Sequence, residues 1–173
     1  MKGQATVVKN AGSHYVLSEL PQWNLFPAVL RGRVRLNRSS STNPVAVGDR
    51  VTYEYEGEVG EENPAVITGI LERSNYVIRR STNLSRQSHI IASNVDRVLV
   101  VVTLYFPEIK LPFLDRLLVT CGVYGIPATI VLNKVDMYRA EDPEGVAEFR
   151  HIYESAGYEV IETSARTGEG IER

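Results

Sequence analysis

The stretch Ala128-Thr-Ile-Val-Leu-Asn133-Lys134-Val-Asp136 limits what this chain can fold into more than any other. Five residues of strand character run without a break into a cluster of polar groups. Such a run reads as a strand buried in a parallel sheet, and parallel sheets present ligand-binding groups just beyond the carboxyl ends of their strands. Two other segments fit the same plan. Arg97-Val-Leu-Val-Val-Val-Thr-Leu104 is a continuous β-branched run, expected as a central strand covered on both faces, and Tyr158-Glu-Val-Ile161 is a third strand. Helical spacing lies between them. Pro112 sits near a helix start, Leu114, Leu117, Leu118 and Cys121 share a face, and Gly122 and Gly125 close it. Asp142-Pro143 caps a second helix with Val146, Phe149, Ile152 and Tyr153 on one face, ended by Gly157. Thr167-Gly-Glu-Gly-Ile171 has the look of a further helix entry. Three parallel strands with two complete helices leave one side of a sheet uncovered, so this half is expected to be an incomplete domain.

The polar cluster has specific chemistry. A carboxylate only accepts hydrogen bonds, so Asp136 suits a base edge with two adjacent donors, a ring N–H beside an exocyclic amine, which is guanine. Adenine would set a ring acceptor against that carboxylate, and a site built this way rejects the wrong partner by roughly 10⁴-fold. Asn133 either ties this loop to its neighbours or reaches the base, and the Lys134 stem is suited to lie over a flat ring with its ammonium in water. The third strand leads into Thr163-Ser164-Ala165, whose amides and small side chains are placed to close over the base from the other side. The bland alternative is a polar turn after a strand, and the second loop is what weighs against it.

The first half follows a different pattern, short strands broken by turn residues. Gly3 to Lys9 and His14 to Leu20 flank the hairpin signal Asn10-Ala-Gly-Ser13. Leu30-Arg-Gly-Arg-Val-Arg-Leu36 alternates strictly, with Leu30, Val34 and Leu36 toward a core and Arg31, Arg33 and Arg35 on the opposite face. Val47 to Tyr55 and Ala65 to Leu71 supply two more strands. Five strands in this span suggest a small closed barrel of the OB kind, a fold whose open face commonly binds oligonucleotides. Three guanidinium groups in a row repel one another unless an anion is present, so Arg31, Arg33 and Arg35 are candidate RNA contacts, supported by Arg38, Arg79, Arg80 and Arg86. The competing reading is an edge strand kept soluble by its charges. Trp23 and Phe26, flanked by prolines, are expected to plug a barrel end rather than stack on bases. Glu54, Glu56, Glu58, Glu61 and Glu62 read as an exposed hairpin.

Charge separates the halves. Residues 1–90 hold eleven Lys or Arg against eight Asp or Glu, whereas residues 91–173 hold eight against thirteen. The expected organisation is a barrel over residues 1–80, a polar linker over 81–92 and an incomplete nucleotide-binding domain over 93–173. With 43% hydrophobic residues a packed core is feasible. No apolar run is long enough to span a bilayer, the start of the chain lacks a signal-peptide core, and the single cysteine rules out an intrachain disulfide, all of which point to the cytoplasm. His14, His89 and His151 lack metal-ligand spacing and are expected at the surface or in loops.

Asn-Lys-x-Asp followed about thirty residues on by Thr-Ser-Ala resembles the guanine-specificity loops of the GTPase superfamily. An ordinary member carries Gly-x-x-x-x-Gly-Lys-Ser/Thr upstream of these loops, and nothing before Asn133 fits it. A barrel with a Val-Gly-Asp-Arg-Val strand, then Ser93-Asn94-Val95-Asp96-Arg97 and a buried strand, then the guanine loops, is an order that resembles the circularly permuted, small-ribosomal-subunit-dependent GTPases of bacteria. The resemblance spans essentially the whole chain. It implies an all-β plus α/β architecture, an OB-type barrel followed by part of a permuted P-loop GTPase domain. It also implies a full protein that hydrolyses GTP with magnesium and acts late in small-subunit assembly, binding rRNA through the barrel and working as a monomer without a membrane. Carried over by residue, Asn133, Lys134, Val135, Asp136, Thr163, Ser164 and Ala165 hold GTP or GDP. The catalytic residues, the phosphate loop and a zinc-binding domain are expected downstream, with no catalytic or metal-binding residue in these 173 positions and no appreciable GTP hydrolysis by them alone. The rival expectation is an RNA-binding barrel joined to a nucleotide-fold scaffold that binds no nucleotide.

Overall fold

The computed structural model describes residues 1–30, 44–80 and 88–172, with only the backbone described at 79–80 and 88–89. The chain divides into two compact units, Met1–Val95 and Asp96–Arg173.

In the first unit, β1 (Lys2–Ala11), β2 (His14–Glu19), β3 (Asn24–Leu30), β4 (Arg50–Glu54) and β5 (Ala65–Ile70) close a barrel in the order β1-β2-β3-β5-β4. All neighbours are antiparallel except β3 and β5. Alternation drives the closure. Ala5, Val7, Tyr15, Leu17, Val51, Tyr53, Ala65 and Ile67 point inward at period two, and their removal from water is the main stabilising term. The third strand begins earlier than expected. The described part of it is Asn24–Leu30, a stretch not expected as strand, and the alternating segment expected over Leu30–Leu36 lies, beyond Leu30, outside the described residues. Residues 31–43 lie outside the described residues, so Arg31, Arg33, Arg35 and Arg38 have no placement here, and neither has Arg86. Pro27 sits inside β3 because the ladder to β5 begins only at Ala28, which spares its missing N–H a partner on that side. Phe26 packs its ring 5.0 Å from Tyr53 against the barrel core, while Trp23 is exposed. The Tyr53 hydroxyl donates to Glu19, and burial together with that bond pushes its pKa up to about 12.

A two-stranded ribbon, β6 (Tyr76–Arg80) with β7 (Ser88–Ser93), completes this unit. Residues 88–92, expected as linker, therefore lie in a paired strand. The ribbon is joined to the barrel through Asp49, whose buried carboxylate accepts from Ala46 N (2.8 Å), Ser93 Oγ (2.5 Å), Arg73 Nε (2.6 Å) and Arg73 Nη2 (2.7 Å). Gly48 makes the approach feasible. Its φ is +88° and a Cβ there would stand 2.0 Å from the Ser93 carbonyl oxygen, so both conformation and space demand glycine.

In the second unit, β8 (Val98–Val102), β9 (Ala128–Leu132) and β10 (Glu159–Glu162) form a parallel sheet in the order β10-β9-β8. The connecting helices are α1 (Leu111–Val123), α2 (Val135–Glu141) and α3 (Pro143–Ser155). Leu114 and Leu118 of α1 and Val146, Phe149 and Tyr153 of α3 pack on Val100, Val102, Ile130, Leu132 and Val160, all on one face of the sheet. Cys121 is buried on α1, which raises its thiol pKa. Asp142 accepts from Gly145 N at 2.9 Å, the cap that Asp-Pro predicted for α3. Three expectations need correction. Among the described residues β8 is an edge strand, and its second face is open, with Leu99 62% and Val101 65% exposed, because both long helices pack on the same side. Ile152 on α3 is exposed rather than core-facing. Thr167–Ile171 forms turns, not a helix, and Ser164 and Glu169 bridge across them.

Candidate functional site at the strand ends

Parallel register brings the carboxyl ends of the three strands level, pairing Val102 with Leu132 and Leu132 with Glu162. The ladder extends one step further through Asn133 N to Val102 O (2.9 Å) and Thr163 N to Leu132 O (2.8 Å). Here the chain turns sharply. Lys134 has φ +69° and ψ +30°, a left-handed conformation that costs a non-glycine residue about 1 kcal/mol. That one residue converts strand into helix and puts Asp136 in the first turn of α2, where the helix dipole favours a negative charge. The Lys134 ammonium donates to the carbonyl of Phe106 in the loop after β8, so its head is anchored there rather than left to water.

Asp136 is held on one side only. Ser164 Oγ, fully buried, donates to Oδ1 at 2.7 Å and itself accepts from Thr167 N at 3.2 Å. The other oxygen, Oδ2, has the Arg166 guanidinium 4.0 Å away, outside hydrogen-bond range. Beside this carboxylate lies a cavity of about 240 Å³ lined by Asn133, Lys134, Asp136, Met137, Ala165 and Arg166. Its walls are largely the hydrocarbon of these side chains. A flat ring suits such walls, and its donor edge suits an acceptor-only group that keeps open lone pairs.

The seven residues expected to hold nucleotide divide into two groups. Asn133, Lys134, Asp136 and Ala165 line the cavity. Val135 is fully buried in the core, and Thr163 and Ser164 are buried behind the cavity. Of the two roles open to Asn133, the side-chain oxygen takes the tie, accepting from Ala165 N at 3.0 Å and from Thr163 Oγ1 at 3.4 Å. The loop after β10 is drawn in further by Gly170, where φ is +71° and a Cβ would stand 2.2 Å from the Glu162 carbonyl oxygen. Met137 and Arg166 are cavity residues that the sequence reading passed over. Each directly follows a recognised motif, and that adjacency was the available signal.

Behind the pocket, Glu162 accepts from Arg139 (2.8 Å) and Arg150 (3.0 Å), and Arg139 also pairs with Glu169 (2.6 Å). Burial works against the charged form of Glu162, but the two guanidinium groups prevail and hold its pKa below the ordinary value of 4.5. The network fastens α2, α3 and the turn carrying Ser164 to one another.

A model of the RsgA GTPase family matches residues 70–173, more than half of the chain. The chain belongs to the RsgA GTPase family. It is 44% identical over 170 residues to the small ribosomal subunit biogenesis GTPase RsgA of Christiangramia forsetii, covering 98% of this chain and 53% of that relative. It thus spans about half the length of the curated RsgA proteins it matches. The crystal structure of YjeQ from Thermotoga maritima superposes with a TM-score of 0.73 at 30% identity, over 99% of this chain and 55% of the other. YloQ, described as a circularly permuted GTPase, shares the fold with a TM-score of 0.67 at 24% identity. A barrel followed by part of a permuted GTPase domain is therefore the architecture of this RsgA-family chain.

Proposed function

We propose that the chain carries the guanine-recognition part of a GTP-hydrolysing protein that acts in biogenesis of the small ribosomal subunit, as the names of its relatives indicate for them. The observation that supports this best is Asp136. One oxygen is fixed by Ser164 and the other is left for a donor edge at the mouth of a ring-sized cavity. Asn133, Lys134 and Ala165 shape the cavity, and Thr163, Ser164 and Val135 support it from behind.

The sequence contains no Gly-x-x-x-x-Gly-Lys-Ser/Thr loop. Among the described residues no three His, Cys, Asp or Glu side chains converge. The contribution of this chain is to choose the base and hold it. Hydrolysis by these 173 residues alone is not expected, since positioning the γ-phosphate and its attacking water requires those phosphate-binding parts. The barrel is proposed to contact rRNA, on the strength of the basic run around Arg31, Arg33 and Arg35. No helix among the described residues is long and apolar enough to cross a membrane, in keeping with a cytoplasmic site of action.

The deciding measurement is nucleotide competition on the 173-residue chain, followed by ligand-observed NMR, which registers weak binding. GDP should bind and ADP should not. Equal binding of the two, or of neither, would leave the rival reading, an RNA-binding barrel with a silent nucleotide fold.

A further inference from the structure

A cation stands near the second oxygen of Asp136. Arg166 stands two residues beyond Ser164, in the turn after β10, with its Nη1 4.0 Å from Asp136 Oδ2 and its side chain 85% exposed. The other cations around this end of the sheet are engaged. Lys134 donates to Phe106 O, Arg139 to Glu162 and Glu169, and Arg150 to Glu154 and Glu162. Arg166 makes a looser, solvent-exposed pair.

Its chemistry bears directly on the pocket. A guanidinium presents adjacent N–H donors in one plane around one carbon, and it matches a carboxylate in a two-pronged geometry. The donor edge of guanine, a ring N–H beside an exocyclic amine, is the same N–C–N arrangement. We propose that Arg166 is a built-in stand-in for the guanine edge, screening Asp136 while the pocket is empty and competing with the base for the carboxylate. The inference rests on the guanine reading of the cavity. In this role Arg166 sets affinity and screens the site, and it is displaced when the base enters. Exposure keeps the competition mild, because an exposed ion pair contributes little, a factor of about two to five in an equilibrium.

Guanosine, which has no phosphates, isolates the effect from electrostatic attraction of a charged nucleotide. Its affinity for the 173-residue chain and for Arg166→Gln and Arg166→Ala is to be measured by ligand-observed NMR in low and high salt, with adenosine as the control. Both variants are expected to bind guanosine about two- to five-fold more tightly than the parent at low salt. The parent should gain affinity as salt screens the Arg166–Asp136 pair, while the variants stay flat. Weaker binding by both variants would make Arg166 a base contact and overturn the proposal, as would unchanged binding with unchanged salt dependence. Adenosine binding as well as guanosine, or guanosine binding to none of the three proteins, would instead sink the guanine reading and this inference with it. The substitution lies in an exposed turn and removes no packed group, so the fold is expected to survive it.

Discussion

Asp49 in the barrel unit and Asp136 in the sheet unit are both aspartates at the edge of a core, and they differ in how fully the protein satisfies them. Asp49 is fully buried and takes four donors, two from Arg73 and one each from Ala46 N and Ser93 Oγ. Asp136 takes one donor, Ser164 Oγ, and keeps its second oxygen at a cavity. A carboxylate saturated from within has no capacity left for a ligand and serves to lock elements together. One left half-satisfied beside a cavity keeps acceptor capacity for a ligand, the role proposed for Asp136. The count of internal donors, rather than burial alone, separates the two roles.

The sharpest way to break this contrast is at Asp49. Asp49→Ala leaves the Arg73 guanidinium partly buried without its carboxylate, and removing one partner of such a pair costs about 3–5 kcal/mol. Denaturant unfolding followed by circular dichroism should show a loss of that size; a loss under 1 kcal/mol would mean that the ion pair is not a structural lock. Asp136→Asn should behave in the opposite way. Stability should change by less than about 1 kcal/mol, while guanine affinity falls about a hundred-fold, consistent with hydrogen bonds to a charged group worth about 1.5–3 kcal/mol each. Xanthine tolerance should improve, because the amide can donate where the carboxylate cannot. Guanosine binding that survives this change intact would contradict the assignment of the pocket.

Ser164→Ala tests the single internal donor. It frees Asp136 to reorient and removes a hydrogen bond to a charged group, at least about 1.5 kcal/mol, so guanosine affinity should drop about ten-fold with xanthine discrimination retained. The smallest effect concerns Glu162. Its pKa is depressed by Arg139 and Arg150, so the stability it adds is present above the ordinary value of 4.5 and disappears as pH falls through the lower folded value. Acid titration should therefore show the sheet unit weakening only below about pH 4.5, and Glu162→Gln should flatten that limb of the curve. An unchanged limb would shift the acid sensitivity to another carboxylate.

What could be read ahead of the structure follows from how local each signal is. β9 and the polar groups after it are contiguous, so strand, turn and the carboxylate at the strand end were visible in nine residues, and the Asp142 cap of α3 was just as plain. The start of the third barrel strand was not. Leu30–Leu36 alternates more cleanly than Asn24–Leu30, and Pro27 counts against a strand until its place beyond the β5 ladder is known. That two helices would leave one side of the sheet uncovered was legible from their count, but that β8 shows that side was not, since an apolar run records that a strand is apolar on both sides and not whether both sides are covered.

The sequence by itself determined the class of each half and the position of the loop proposed to read guanine, with its carboxylate, because these depend on residue type and on spacing within one turn or strand. Only the tertiary structure decided that Ser164 fixes that carboxylate, that Asn133 ties two loops together, that Val135 belongs to the core and that Arg166 stands by the remaining oxygen. Those facts depend on parallel register bringing the ends of β9 and β10 level, and register is set by packing across the whole sheet, which no short stretch of chain encodes.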